Sequence, residues 1–240
     1  MSLKFIILGC GSSLGVPRAD GDWGKCDPNE KKNYRTRCSA LIKFNNMNIL
    51  LDTSPDLRTQ LIKNNIKNIN YVIYSHKHAD QVHGINDLRV FSIINKKKIN
   101  VYADKETRKY LYDNFNYCFE DSSDYKAILK LNKIKKNFIF KNNKRSLSLK
   151  TIPVEHGIIQ SQAFIINKSC AYISDANKIH KKDFKYFKKL NYFIVDCLRI
   201  NEHPSHFNLD DVIKLTNILR PKKTILTNLH SALDYKYLIK

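Results

Sequence analysis

The sequence predicts an α+β protein in which stacked sheets are covered by helices. Short apolar runs of strand length recur along the chain. Longer amphipathic stretches lie between some of them, with apolar residues three and four positions apart. No repeat, low-complexity tract or Ser/Pro linker interrupts the 240 residues, so we expect one domain over residues 1–240.

Each apolar run predicts one strand, and each amphipathic stretch predicts one helix. The opening run is too short for a membrane span and enters glycine without a cleavage pattern, so we expect a buried first strand. The last helix has the clearest limits, because Asn208 is a capping residue, Asp210 and Asp211 follow it, and Pro221 lies just beyond. Strands are predicted at 3–8, 40–44, 48–51, 71–75, 99–103, 138–140, 147–152, 163–166, 170–174, 192–195 and 224–227, and helices at 56–65, 105–115, 178–189 and 209–219.

Composition limits the classes of partner and the cellular compartment. The formal charge of +20, from 42 Lys and Arg against 22 Asp and Glu, favours phosphate-bearing partners. The lysines accompany an excess of Asn, Ile, Tyr and Phe, which an AT-rich coding sequence also produces, and no RNA-recognition aromatic motif is present. RNA and a second copy of the chain therefore stay open as partners, and no membrane partner is expected. The six cysteines form no CxxC pair, which argues against a disulfide scaffold and fits a reducing cytoplasm.

A metal-binding spacing follows the apolar run at residues 71–75. His76, His78 and Asp80 occupy alternate positions, and His83 lies nearby. Side chains at i, i+2 and i+4 of an extended segment point to one side, so one loop can present several ligands. Imidazole nitrogen and carboxylate oxygen suit divalent ions of the zinc class. A lone histidine usually satisfies a hydrogen bond, but this cluster predicts a metal site.

Three further ligand candidates stand directly after predicted strands, where loops commonly carry functional groups. His156 follows residues 149–154, Asp175 follows residues 170–174, and His230 follows residues 224–229. A single His or Asp at the end of a strand is common and does not by itself predict a metal site. Three of them, together with the loop at 76–83, favour a shared metal chemistry.

With these residues in this order, the chain resembles the metallo-β-lactamase superfamily, whose signature is His-x-His-x-Asp-His followed by a distant His, an Asp and a last His. The resemblance covers nearly the whole chain and implies a four-layer αβ/βα sandwich. It also implies two divalent ions, Zn²⁺ in the first place and Mn²⁺ as the alternative. The implied metal ligands are His76, His78, Asp80, Gln81, His156, Asp175 and His230.

Two departures from the family pattern bear on metal binding. Gln81 stands where the family has histidine, and a neutral amide oxygen is a poorer zinc ligand than imidazole. The second metal position is therefore left open, with His83 as an alternative ligand. Only Cys26 lies in the stretch where some relatives hold a structural zinc with clustered cysteines, so we expect no structural zinc.

A narrower resemblance links residues 8–17, 34–39, 51–58 and 84–89 to phosphoribosyl cyclic phosphate phosphodiesterases and, for the opening segment, to the tRNA 3′-processing endonucleases (ribonuclease Z). It implies hydrolysis of a small cyclic or nucleotide-like phosphodiester by a hydroxide that bridges two metals, with Asp175 as the bridging ligand. Asp80 would accept the proton of the attacking water. His206 would protonate the leaving group, with His203 as the weaker candidate, and Asp52 would orient a metal-bound histidine.

Other functions remain as alternatives. tRNA 3′ processing is disfavoured because residues 104–150 contain no Gly or Pro, unlike the flexible arm that such endonucleases insert. An ester or thioester hydrolase would use the same ligands. A nucleic-acid-binding protein, in which Gln81 has emptied the second site, is the alternative outside the enzymes. Four arginines are candidate phosphate clamps or structural residues, namely Arg35, Arg37, Arg58 and Arg89.

Overall fold

The structure is a computed structural model that describes residues 3–142 and 145–239. Its strands are β1 (Lys4–Gly9), β2 (Ser39–Phe44), β3 (Met47–Leu51), β4 (Tyr71–Ile73), β5 (Ile99–Ala103), β6 (Leu129–Lys133), β7 (Asn137–Asn142), β8 (Arg145–His156), β9 (Ile159–Ile166), β10 (Cys170–Ile173), β11 (Tyr192–Asp196) and β12 (Lys223–Thr227). Its α-helices are α1 (Leu57–Lys63), α2 (Ala79–Val82), α3 (Arg89–Asn95), α4 (Lys105–Phe115), α5 (Leu209–Leu219) and α6 (Tyr235–Leu238).

The chain forms two compact units, each with one six-stranded mixed sheet. Unit 1 comprises Met1–Gly9 and Cys38–Lys135, and unit 2 comprises Cys10–Arg37 and Lys136–Lys240. The prediction of a single domain over residues 1–240 stays a prediction.

The sheet of unit 1 has the order β1-β2-β3-β4-β5-β6. Strands β1 to β3 pair antiparallel, whereas β3 to β6 pair parallel. Its core contains Leu41, Leu50, Val72 and Val101, all fully buried. Because the carboxyl ends of parallel strands meet at one edge, the residues that follow β3 and β4 lie close together. Asp52 and the segment that carries His76 are therefore neighbours in space.

The sheet of unit 2 has the order β12-β11-β10-β9-β8-β7. Strands β10, β11 and β12 are parallel, and the remaining pairs are antiparallel. Helix α5 contributes Val212, Leu215 and Leu219 to a core that also contains Ile165 and Phe193. The carboxyl ends of the three parallel strands again converge, which brings together the residues just after each of them.

Most predicted elements are present, and the departures have physical reasons. Helices α4 and α5 have the predicted limits, and the Asn208 cap of α5 is confirmed as a capping box with Asp211. Strand β6 was not predicted because its apolar residues alternate with lysine and asparagine. Helix α3 was also not predicted, since it exposes Val90, Ile93 and Ile94.

The predicted helix at 178–189 is wrong in type and length. Only Lys181–Tyr186 is helical, and it is a 3₁₀ helix. Lys181 and Lys185 are four residues apart, where like charges oppose an α-helix. Phe184 and Phe187 are three residues apart and both pack on the core, a spacing that suits a 3₁₀ turn.

None of the helices among the described residues combines the length and apolarity that crossing a membrane requires.

Candidate functional site

The His76 loop leaves the carboxyl end of β4. His76 is 1% exposed, and its Nδ1 lies 2.9 Å from the hydroxyl of the preceding Ser75. The rings of His76 and His78 are edge to face, with centroids 4.6 Å apart. Because Ser75 engages Nδ1, Nε2 is the ring nitrogen of His76 through which the predicted metal ligation would occur.

Asp52 supports this loop through Ser75. It follows β3 with a φ of 63°, is fully buried, and its Oδ1 accepts a hydrogen bond of 2.7 Å from the Ser75 amide. Burial raises the pKa of Asp52 to about 8, with a smaller contribution from Asp80, while the hydrogen bonds from Ser75 act in the opposite direction. The predicted orienting role of Asp52 thus has a structural route, because Asp52 fixes Ser75 and Ser75 contacts His76.

The second metal position was predicted to involve Gln81 or His83. These two side chains contact different partners. Gln81 is buried, and its side-chain amide donates a hydrogen bond of 3.0 Å to Asp80 Oδ2. His83 is exposed, with its Nε2 2.9 Å from the Tyr110 hydroxyl and its ring against Tyr110 and Phe115 of α4. Gln81 is therefore hydrogen-bonded to Asp80, whereas His83 contacts α4.

Gly84 holds the end of this loop against the segment after β3. A Cβ added at Gly84 would lie 2.0 Å from the Ser54 carbonyl oxygen. The Gly84 amide donates to the Thr53 carbonyl oxygen at 2.9 Å, and the Thr53 hydroxyl donates to the Val82 carbonyl oxygen at the same distance. The glycine is required here by close approach of two backbone segments.

In unit 2, three predicted site residues come together. The ligand atoms of His156, Asp175 and His206 all lie within 4.8 Å of one another. His156 is the last residue of β8, and its Nδ1 lies 2.6 Å from the Ser205 carbonyl oxygen. A carbonyl oxygen only accepts, so Nδ1 carries the proton and Nε2 keeps the lone pair that a metal needs.

His206 is held by an aspartate that the sequence analysis did not identify. Its Nδ1 lies 2.7 Å from Asp196 Oδ2, and Asp196 is fully buried at the end of β11. The Asp196 carboxylate also accepts from the Ala176 amide at 3.0 Å and from the Asn228 side chain at 3.1 Å. Burial raises the pKa of Asp196, and its contacts with His206 are the main opposing influence.

Asn228, also not identified from the sequence, connects the two aspartates. Its amide nitrogen donates to Asp175 Oδ1 and to Asp196 Oδ1, each at 3.1 Å. A signal for both residues was available, because Asp196 follows the predicted strand 192–195 and Asn228 follows the predicted strand 224–227. The rule that selected Asp175 would have selected them too.

His230 lies outside the group formed by His156, Asp175 and His206. Its Nδ1 accepts a hydrogen bond of 3.1 Å from the Ala232 amide, so the neutral ring carries its proton on Nε2. Burial lowers the pKa of His230, which favours this neutral form. His230 is thus in the opposite tautomer from His156, and its assignment as a ligand stays a prediction.

Three further residues from the sequence analysis have contacts within their own unit, namely Arg35, Arg89 and His203. Arg35 is buried and donates to the Asn33 side chain at 3.0 Å and to the His230 carbonyl oxygen at 3.4 Å, so it acts as a structural residue. Arg89 lies over the Tyr125 ring at 4.5 Å. The His203 ring is 4.9 Å from that of His206, and its Nδ1 is 3.2 Å from the Ser205 hydroxyl.

Comparison with known proteins places these residues in a family. A family model for the beta-lactamase superfamily domain matches residues 47–228. The chain belongs to this superfamily. A solved structure described as a new diphosphatase from the PhnP family is 26% identical, with a TM-score of 0.88 over 99% of this chain and 90% of that one. The predicted α+β metallo-β-lactamase fold is therefore confirmed.

Two other relatives show how far the similarity reaches. Human tRNase Z, short form, is 15% identical, with a TM-score of 0.69 over 94% of this chain and 92% of that one, and shows the shared fold alone. A protein from Porphyromonas gingivalis (strain ATCC BAA-308 / W83) named octanoyltransferase is 28% identical over 98% of this chain. This chain spans 48% of that relative's length.

The fold family is metal-dependent, and the residues present fit a metal ion. His156 and Asp175 combine imidazole nitrogen with carboxylate oxygen, donors that zinc and similar divalent ions accept. The proton of His156 on Nδ1 supports the same conclusion, since a ligating imidazole donates its other N–H to a carbonyl or carboxylate.

Proposed function

We propose that the chain is a metal-dependent hydrolase that cleaves a small cyclic or nucleotide-like phosphodiester with two divalent ions. The observation that carries this proposal is the group of His156, Asp175 and His206, with His206 backed by the buried Asp196. The similarity to a structure described as a diphosphatase supports phosphorus as the centre attacked, and it adds diphosphates to the proposed substrate class.

The metal ligands in this proposal are the seven residues predicted from the sequence. A bound divalent ion would lower the pKa of water and polarise a phosphoryl oxygen. His76 and His156 would bind through Nε2, because Nδ1 of each is already engaged. Gln81 would hold the Asp80 carboxylate in position through its amide. The imidazole that the family signature has at this position is absent.

His206 is the proposed proton donor. With Nδ1 held by Asp196, the Nε2 atom of a protonated His206 can donate to a leaving oxygen, and the Asp196 carboxylate stabilises the ring in its charged form. Asn228 keeps Asp175 and Asp196 at a fixed separation by donating to both. Asp80 is proposed to accept the proton of the attacking water.

The test is a substrate panel with the purified 240-residue chain, stripped by chelator and reloaded with Zn²⁺ or Mn²⁺. The panel contains bis-p-nitrophenyl phosphate, cyclic nucleotides, a cyclic ribose phosphate, a dinucleoside diphosphate, a precursor tRNA with a 3′ trailer, p-nitrophenyl acetate and an octanoyl thioester. We expect turnover of a small phosphodiester or diphosphate diester that chelation abolishes and metal restores. Clean cleavage of the precursor tRNA alone, or of the esters alone, would replace the proposal with the corresponding alternative.

Metal content separates this enzyme from a nucleic-acid-binding protein with an impaired site. About two ions per chain by elemental analysis favour the hydrolase. One ion or none, with salt-sensitive RNA binding and no turnover of any panel substrate, would show that the chain is a binder.

A further inference from the structure

A groove lies in unit 2, on the face of the sheet that also carries α5. It is a groove of about 550 Å³ between the β7–β8 hairpin and the 3₁₀ turn Lys181–Tyr186. Ile139 and Ile165 line its floor, and Tyr186 and Leu190 line one side. The register places Ile139 opposite Ser148 and Lys150 opposite Ile165, so these side chains share one face. This volume is in the range of small-molecule sites.

Positive charge surrounds this apolar floor. Lys150, Lys168, Lys185 and Lys188 line the groove, and none of its lining residues is acidic. Within residues 3–142 and 145–239, none of these four lysines forms an ion pair. Ammonium groups close together at an apolar surface repel one another and attract an anion. The charge of the groove therefore favours a negatively charged ligand.

An aromatic ring joins the charged and apolar parts of the groove. The ammonium groups of Lys150 and Lys185 lie 4.8 and 5.2 Å from the centroid of the Tyr186 ring. Ile139 is 59% exposed and leaves apolar surface open to solvent in the groove. A ligand that fits must therefore cover apolar surface at Ile139 and Tyr186 and present negative charge to Lys150 and Lys185.

We propose that this groove binds a small organic phosphate, with its aromatic or aliphatic body on Ile139 and Tyr186 and its phosphate between Lys150 and Lys185. Phosphate suits several convergent lysines better than carboxylate, because it carries nearly two charges and three strong acceptor oxygens. A nucleoside monophosphate has both parts, and its base can stack on Tyr186.

This site is separate from the candidate metal-binding residues. Lys150 and His156 are both in β8, and the six steps between them span about 20 Å of extended strand. The groove therefore does not form part of the His156 cluster, and the proposal does not rest on the hydrolase function.

The test is calorimetric titration of the full chain with AMP, adenosine, octyl phosphate and inorganic phosphate, in buffer with chelator to keep the metal residues out of the reaction. We expect AMP or octyl phosphate to bind at least about tenfold more tightly than adenosine or inorganic phosphate. Tighter binding of AMP than of octyl phosphate would identify an aromatic body, and the reverse order would identify an aliphatic one. Equal binding of AMP and adenosine, or of both organic phosphates and inorganic phosphate, would overturn the proposal.

Substitutions in the groove test where the organic phosphate binds. Lys150→Ala with Lys185→Ala is expected to weaken the preferred ligand at least about tenfold, and Tyr186→Leu about threefold. The matched control, Lys63→Ala with Lys214→Ala, removes the same charge from exposed helix positions outside the groove and should stay within about twofold. Asp175→Asn should also leave this affinity unchanged. An equal loss in the control pair, or a loss with Asp175→Asn, would show that the phosphate binds elsewhere.

Discussion

The two units orient their candidate metal ligands by different means. In unit 1 the support for His76 is local, since Ser75 is its neighbour in the chain and Asp52 reaches it across adjacent parallel strands. In unit 2 the support for His156 comes from Ser205, which lies 49 residues away. The difference shows that a compact ligand motif can be recognised in the sequence, whereas a dispersed one depends on contacts that the fold creates.

The comparison also separates residues that look alike in the sequence. His156 ends β8 and His230 follows β12, and both were predicted as ligands. His156 donates from Nδ1 to a carbonyl oxygen, while His230 accepts at Nδ1 from an amide. In His156 this leaves the lone pair of Nε2 for a metal, whereas in His230 the lone pair of Nδ1 is engaged by the Ala232 amide.

The largest expected effect is that of Asp196→Asn, which removes the charged support of the unit 2 cluster. Loss of the carboxylate that holds His206 Nδ1 should lower kcat for the phosphodiester substrate by about 100-fold, the lower range for a positioned general acid. Steady-state assays measure kcat, and thermal melting curves confirm that the variant is folded. Asp124→Asn, at an exposed position, is the matched control. Activity of D196N within twofold of the unaltered chain would contradict the assigned role of Asp196.

Gly84→Ala should disturb the unit 1 loop through packing. The added methyl group would meet the Ser54 carbonyl oxygen, so we expect the free energy of unfolding to fall by about 1–3 kcal/mol. Urea denaturation followed by circular dichroism measures the change. Asn86→Ala, in the next turn and exposed, is the control and should cost much less. Unchanged stability of G84A would mean that these two backbone segments are not in close contact.

Ser75→Ala tests whether local support in unit 1 matters for metal binding. Without the hydroxyl next to Nδ1, His76 loses its orienting contact, and affinity for Zn²⁺ should fall by about tenfold. Competition with a chromogenic chelator gives the affinity. Ser92→Ala, whose hydroxyl donates to the Lys97 carbonyl oxygen away from the metal-binding loop, is the control. If both variants bind Zn²⁺ equally well, Ser75 does not orient His76.

The smallest effect is expected for His83→Ala, which sharpens the question of the second metal position. His83 contacts Tyr110 and Phe115, so its loss should change metal content and Zn²⁺ affinity by less than about twofold. Gln81→His, measured in parallel, should raise the affinity because imidazole is a better zinc ligand than an amide oxygen. A large loss in H83A with no gain in Q81H would reverse the roles assigned to these residues.

The sequence by itself determined the superfamily, the order of the candidate ligands and most strands. Residues 76–80 form a local pattern that identifies candidate ligands from the sequence. The predicted extended geometry is wrong at Asp80, because helix α2 begins at Ala79. Helices α4 and α5 were likewise predicted with correct limits, because apolar periodicity and the Asn208 cap are local signals.

Only the tertiary structure decided which of these residues meet and in which chemical form. Asp196 and Asn228 acquire their roles because β10, β11 and β12 are parallel neighbours, a pairing that periodicity cannot reveal. The tautomers of His156 and His230 depend on backbone partners at Ser205 and Ala232. Hydrogen bonds act over about 3 Å, and such proximity between distant residues is created by folding and is not encoded in their spacing along the chain.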